Sequence, residues 1–207
     1  MRIALTFDDG PNTSITPQVL DILQEQGNVA SFFLIGKNIT EDSAPVARRA
    51  FEMGCEINNH SLSHEKMDGM TPDEIKKEID ECTERIMAVT HTPPRFFRPP
   101  YIAVSQTLFA SVALPFICGF GCQDWVMDVT ARQRIETVLG FAKDGDIVLL
   151  HDSLGNVNTV EAIRVIIPEL KKRGFSFVTC GQLFDECGVA PIPNRLYSNV
   201  YQTKDRV

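Results

Sequence analysis

The sequence has no run of lysine and arginine longer than three, no apolar stretch approaching the length of a bilayer span, no C-x-x-C pair and a single tryptophan. Each absence removes a class of protein. With 20 basic against 27 acidic residues, a net charge of -7 and a pI near 5.1, nucleic acid and anionic membranes are poor partners, and an acidic polymer would be repelled. Without a spanning segment the chain reads as soluble and makes no membrane contact. Its six cysteines (Cys55, Cys82, Cys118, Cys122, Cys180 and Cys187) lie mostly in apolar strand-like or helical patterns, so they read as buried free thiols. Repeats, low-complexity tracts and linkers are also missing. At 207 residues with 43% hydrophobic content, residues 1–207 are expected to form one domain with a full core, acting as a monomer. The first strand is expected to begin near residue 2, which would leave no room for a signal peptide. If the protein is exported, the chain is an excised catalytic segment working outside the cell or at its envelope.

What is present begins at the N-terminus. Ile3, Leu5 and Phe7 alternate as in a strand, and Gly10-Pro11-Asn12 stops it, so Asp8 and Asp9 fall where a strand delivers its last side chains. Parallel α/β folds keep their chemistry there. Adjacent carboxylates repel unless a cation lies beside them, and a metal ion is the common solution. The competing reading is an acidic turn with an aspartate capping the next helix.

Further along, helix and strand signals alternate. A capped amphipathic helix is expected from Thr16-Pro17 to Gly27, then a strand over 29–35, a helix over 45–53 and a strand at Cys55-Glu56-Ile57 leading to His60. Thr71 and Glu74 form a capping box for a helix over 71–89, along which Ile75, Ile79, Cys82, Ile86 and Val89 recur by fours and threes. Then come a helix over 105–112, a strand over 116–120, a helix over 133–143 and the strand Ile147-Val148-Leu149-Leu150 presenting His151-Asp152. A helix over 160–173, a strand over 175–178 and a short helix over 182–186 complete the pattern. Roughly six or seven βα units suit either a parallel barrel of fewer than eight strands or a doubly wound sheet. Polar residues after five separate strands favour the barrel, where all strand ends converge on one face.

His60 and His64 stand four apart, so a single helical turn would aim both imidazoles the same way. Joined to one carboxylate of the first motif, they make a three-ligand set with an open position, the arrangement of a catalytic zinc site. The residue after the first histidine is Ser61, so the general base must come from elsewhere, and the spare aspartate is the candidate. His91 follows a helix end, where its charge suits the dipole, and reads as structural.

Thr6-Phe7-Asp8-Asp9-Gly10-Pro11, His60-Ser61-x-x-His64, Arg98-Pro99-Pro100-Tyr101, Asp124-Trp125 and Leu149-Leu150-His151-Asp152 together resemble the five motifs of the polysaccharide deacetylases, the NodB-homology domain of carbohydrate esterase family 4. The resemblance implies a distorted barrel of about seven parallel strands and a divalent-metal-dependent deacetylase. It gives Asp9, His60 and His64 to one metal ion, zinc first with cobalt, nickel or manganese as alternatives. Asp8 becomes the base, held by Arg98. The Tyr101 backbone N–H faces the oxyanion, His151 is the general acid tuned by Asp124, and Trp125 and Leu149 wall the acetyl pocket with Pro100 on the substrate side. Core packing is the plainer reading of Trp125. The expected substrate is an acetylated polysaccharide or oligosaccharide, with N-acetylglucosamine in peptidoglycan or chitin-like chains preferred. An acetylxylan-type esterase, a small-molecule amidase and a non-catalytic glycan-binding module are the alternatives.

Two positions depart from the family pattern. Ile102 stands where glycine is usual after R-P-P-Y, and Gly121 replaces the first acid of D-x-x-D-W. Isoleucine adopts glycine-like backbone angles only at a cost, so the loop carrying the oxyanion N–H is expected to differ in shape.

Overall fold

The computed structural model describes residues 1–202. In chain order its first half runs β1 (Arg2–Asp8), α1 (Ile15–Glu25), β2 (Ser31–Leu34), α2 (Ala44–Glu52), β3 (Glu56–Asn59), α3 (Pro72–Thr90) and α4 (Gln106–Ser111). The second half runs β4 (Phe116–Ile117), β5 (Phe120–Gly121), α5 (Ala131–Phe141), β6 (Asp146–His151), α6 (Val157–Lys172), β7 (Ser176–Phe177), α7 (Cys180–Glu186) and β8 (Leu196–Tyr197). No helix among the described residues is long and apolar enough to cross a membrane.

All strand ladders are parallel, and β1 lies at their centre. It pairs with β6 from Ile3↔Asp146 to Asp8↔His151, with β2 along its upper half, and with β7 at its foot. The order β3-β2-β1-β6-β5 continues through single-residue bridges from Asn59 to Phe97 and from Phe97 to Phe116. These isolated links stand where a regular barrel would have a ladder, which makes the α/β barrel a distorted one. Period-2 alternation sorts the side chains of β1. Ile3, Leu5 and Phe7 join Val19, Leu23, Ile163 and Ile167 beneath α1 and α6, whereas Ala4 joins Phe33, Ile117 and Ile147 on the opposite face. Asp8 is in step with Ala4, so it points inward at the mouth of the barrel.

Local chemistry explains the element boundaries. The capping box at α3 forms as expected, with the Thr71 and Glu74 side chains each bonded to the other's backbone N–H. Two more form at α5 (Thr130 and Gln133) and α7 (Thr179 and Gln182). At α1 the N-cap position is Ser14, and Asn12 just before it meets the free backbone, its Oδ1 accepting from the N–H groups of Ser14 and Ile15 at 3.0 and 2.6 Å. The strand expected over 116–120 is instead split into β4 and β5. The break falls at Gly119 (φ 95°), where a Cβ would lie 2.8 Å from the Ile147 carbonyl oxygen, so only glycine permits the approach. Strand β8, which pairs with β4, is two residues long and leaves no periodic signal to read. His91 closes α3 in the left-handed conformation, away from the barrel mouth.

Candidate active site

Five chain segments converge on a cavity of about 410 Å³ lined by Asp8, Asp9, His60, His64, Pro99, Tyr101, Ile102, Trp125, Leu149 and His151. Register is the reason Asp8 and His151 share its floor. They are direct cross-strand partners at the ends of β1 and β6.

Asp8 is 2% exposed, and its Oδ1 lies 2.5 Å from Nη1 of Arg98, which is fully buried. The guanidinium sits 4.1 Å from the centroid of the Phe33 ring and donates through Nε to the Ile117 carbonyl. A buried carboxylate so placed has a matched charge partner and a fixed orientation. Asp9 turns away from β1 at φ 77°, and its Oδ1 approaches the Nε2 atoms of His60 at 3.6 Å and His64 at 3.4 Å. Burial pushes the Asp9 carboxyl up, but the neighbouring imidazoles, His60 first, outweigh it and hold the group below its ordinary value. Burial is the largest cause holding His64 below the usual imidazole value.

The histidine pair does not occupy a helical turn. Ser61 (φ 65°) and His64 (φ 61°) are left-handed, and side chains brace the segment: Asn59 Oδ1 accepts from Ser61 N–H and Ser61 Oγ from His64 N–H. The rings still meet, with centroids 4.9 Å apart. His60 Nδ1 lies 2.7 Å from the Arg98 carbonyl oxygen, to which only a protonated Nδ1 can bond, leaving the Nε2 lone pair directed toward Asp9.

This cluster fits a divalent cation. Its three ligand atoms lie within 4.8 Å of one another, and the buried Asp9 Oδ1 has no hydrogen-bond partner. Tetrahedral zinc, with bonds of about 2.0–2.2 Å, needs ligand atoms roughly 3.3–3.6 Å apart, the separations seen from Asp9 to each histidine.

On the opposite wall, His151 Nδ1 is 2.8 Å from Asp124 Oδ1, and the His151 backbone N–H donates to Asp124 Oδ2 at 2.7 Å. Burial lowers the imidazole's pKa, but the Asp124 hydrogen bond and charge more than compensate and raise it to about 9. Trp125 packs edge-on against His151 and is 53% exposed, so it is a rim residue and not part of the core. Pro100 is buried away from the cavity, and the proline lining it is Pro99. Arg98 and Asp124 stand behind the wall.

Tyr101 and Ile102 both have left-handed backbones, at φ 58° and 52°, and the Tyr101 ring packs 4.8 Å from His64. Ile102 thus takes up the glycine-like conformation, and the strain falls on a β-branched residue. Because an alanine there keeps a Cβ in a left-handed backbone, Ile102→Gly is expected to be more stable than Ile102→Ala by about 1 kcal/mol. Urea unfolding midpoints of the two variants measure this, and the reverse order would show that the backbone is not left-handed at 102.

Several residues around the site have no role that the motifs assign. Asp152 is fully buried, accepts a hydrogen bond from the Thr16 hydroxyl, and is pushed up to about 7 by burial. A Cβ on Gly10 would lie 2.5 Å from its Oδ2, so the first motif needs glycine to admit this carboxyl. Arg134, Asn156 and Thr159 form a buried network behind Asp124. Only the folded chain brings them together.

The polysaccharide deacetylase family model matches residues 1–114. The chain is 46% identical over 199 residues to a bifunctional xylanase/deacetylase of Pseudobutyrivibrio xylanivorans, covering 96% of this chain and 33% of that protein. It is 34% identical to a peptidoglycan-N-acetylglucosamine deacetylase of Listeria monocytogenes, covering 89% of this chain and 39% of that one. The chain therefore spans between a third and two fifths of the length of these relatives. Among solved structures, a family 4 acetyl xylan esterase from Clostridium thermocellum in complex with a cobalt ion superposes with a TM-score of 0.95 at 41% identity, covering 98% of this chain and all of that one. Site geometry, family model and structural likeness agree: the chain belongs to the polysaccharide deacetylases, the NodB-homology domains of carbohydrate esterase family 4.

Proposed function

We propose that residues 1–207 form one catalytic domain, a divalent-metal-dependent hydrolase that removes acetyl groups from glycans. One observation carries this reading: Asp8 and His151, each with its own buried partner, flank the Asp9-His60-His64 cluster across a single cavity. A binding module has no use for two oriented proton-transfer groups. Asp9, His60 and His64 hold the ion, which we assign as zinc. When bound, such an ion supplies a Lewis acid that polarises the acetyl carbonyl and acidifies water.

The chain's own residues do the rest. Asp8, fixed by Arg98, accepts the proton of the attacking water. His151 bonds Asp124 through Nδ1, so Nε2 is left to face the cavity and to protonate the departing atom. The Tyr101 backbone N–H serves the oxyanion. Trp125 and Leu149 wall the acetyl methyl group, with Pro99 and Ile102 completing the apolar lining.

For the substrate, the higher identity to xylan-linked relatives supports O-acetylated xylan over the N-acetylglucosamine polymers that the motifs alone suggest. The second reading, N-deacetylation of peptidoglycan or chitin-like chains, draws on the peptidoglycan deacetylase. Acetate release from acetylxylan, chitooligosaccharides and peptidoglycan separates them. Acetylxylan is expected to give a kcat/KM at least about tenfold higher, a transition-state difference of about 1.4 kcal/mol. Release from the N-acetylated glycans alone would establish the second reading instead.

A further inference from the structure

We propose that Arg134 is a positioning residue that sets the direction of the Thr159 and Asn156 hydrogen bonds behind His151 and ties the same network to the Trp125 rim. The inference rests on the acid role assigned to His151 above. Arg134, on α5, is 0% exposed and has only neutral acceptors. Its Nη1 donates to Asn156 Oδ1 at 2.5 Å and Thr159 Oγ1 at 2.7 Å, Nε donates to the Val129 carbonyl at 3.0 Å, and Nη2 to the Val126 carbonyl at 3.3 Å.

A guanidinium can only donate, and that fact propagates. Thr159 Oγ1 must accept from Arg134, so its single proton is free for Asp124 Oδ2, 2.8 Å away. Asn156 must turn its carbonyl oxygen to Arg134, so its Nδ2 donates to the His151 and Asp124 carbonyls at 3.0 and 3.2 Å. Asp124 then receives protons at Oδ2 from Thr159 and the His151 backbone, and has Oδ1 left as an acceptor for His151 Nδ1–H. His151 is thereby held with Nδ1–H on Asp124 and Nε2 left to the cavity. At the same time the Val126 and Val129 carbonyls anchor the loop that exposes Trp125, Val126 and Met127 beside the cavity. One buried cation thus aligns the proton donor and holds the adjacent substrate wall.

The test compares Arg134→Lys, which remains a pure donor, with Arg134→Gln, which can also present an acceptor, and with Thr159→Val, which removes the relayed proton. Two readouts are used. The first is kcat/KM on an acetylated sugar, whose alkoxide leaves poorly, relative to an activated aryl acetate, whose leaving group needs no proton. The second is the hydrogen-bonded Nδ1–H proton resonance of His151 in metal-free protein. Arg134→Gln and Thr159→Val are expected to lower the sugar-to-aryl ratio about tenfold or more and to lose or shift the His151 resonance. Arg134→Gln should also raise KM for the sugar, and Arg134→Lys should restore much of the ratio. If Arg134→Gln does not fold, Thr159→Val and Arg134→Lys decide on the same readouts. Folded variants with an unchanged ratio and an unchanged resonance would overturn the proposal and leave Arg134 a purely structural cation. Should wild-type protein hydrolyse no acetyl group, the functional reading fails, while the resonance still decides whether Arg134 fixes the His151 Nδ1–H hydrogen bond.

Discussion

Alanine at both His60 and His64 is expected to yield a folded protein that retains no stoichiometric divalent metal and releases no acetate from any acetylated glycan. The two imidazoles supply two of the three ligand atoms in the cluster, and a lone carboxylate holds zinc weakly. Ligand loss, not unfolding, should dominate. His60 makes one buried hydrogen bond, to the Arg98 carbonyl, and leaving that acceptor unpaired costs about 1–3 kcal/mol. That is a minor share of the roughly 5–15 kcal/mol stability of a typical domain. Circular dichroism establishes the fold, and elemental analysis after dialysis counts the metal. A double variant that keeps one equivalent of metal would place the ligands elsewhere in the chain.

The second large effect separates Asp8 from His151 by changing the leaving group. In the proposed mechanism, activation of water by Asp8 is required whichever bond is cut, whereas proton donation by His151 matters in proportion to how poorly the leaving group departs as an anion. Sugar alkoxides and amines need the proton; an activated aryl oxide does not. His151→Ala is therefore expected to cost about 10² to 10⁴ in rate on an acetylated glycan and far less on an aryl acetate. Asp8→Asn should damage both reactions. That variant also leaves the Arg98 guanidinium buried without its charge partner, a loss of about 3–5 kcal/mol, so its stability must be measured alongside its rate. Both variants are compared at measured metal occupancy, because a protein that has shed its metal fails on every substrate. Equal loss of the glycan and aryl reactions in metal-loaded His151→Ala would remove His151 from the leaving-group role and assign it to holding the substrate.

Much of this was legible in the residues alone, because its signals are local. Alternation at Ile3, Leu5 and Phe7 fixes a strand, and Gly10-Pro11 ends it, so Asp8 and Asp9 belong at a strand end whatever the rest of the chain does. The capping box of Thr71 and Glu74 marks the start of α3 within four residues of sequence. Five polar motifs after five strand-like segments point to one face, and the converging site follows from parallel topology.

Tertiary structure decided whatever depends on distant partners or on backbone angles that side-chain pattern does not encode. The spacing of His60 and His64 suggested a helical turn, but two left-handed residues braced by Asn59 and Ser61 bring the rings together. Pro99 and Pro100 are indistinguishable as text, and the strained turn through Tyr101 and Ile102 leaves only the first against the cavity. The motifs put Trp125 in the pocket wall with core packing as the alternative, and it lies on the cavity rim, on a loop whose Val126 carbonyl accepts from Arg134. Asp152 and Arg134 are buried by contacts with residues 136 and 25 positions away, and no periodicity or cap registers a pairing at that distance. Sequence determined which chemical groups reach the mouth of the barrel, since strand ends and turns are written over a few residues. Only the folded chain decided their protonation, tautomer and exposure, since those depend on neighbours that the sequence keeps far apart.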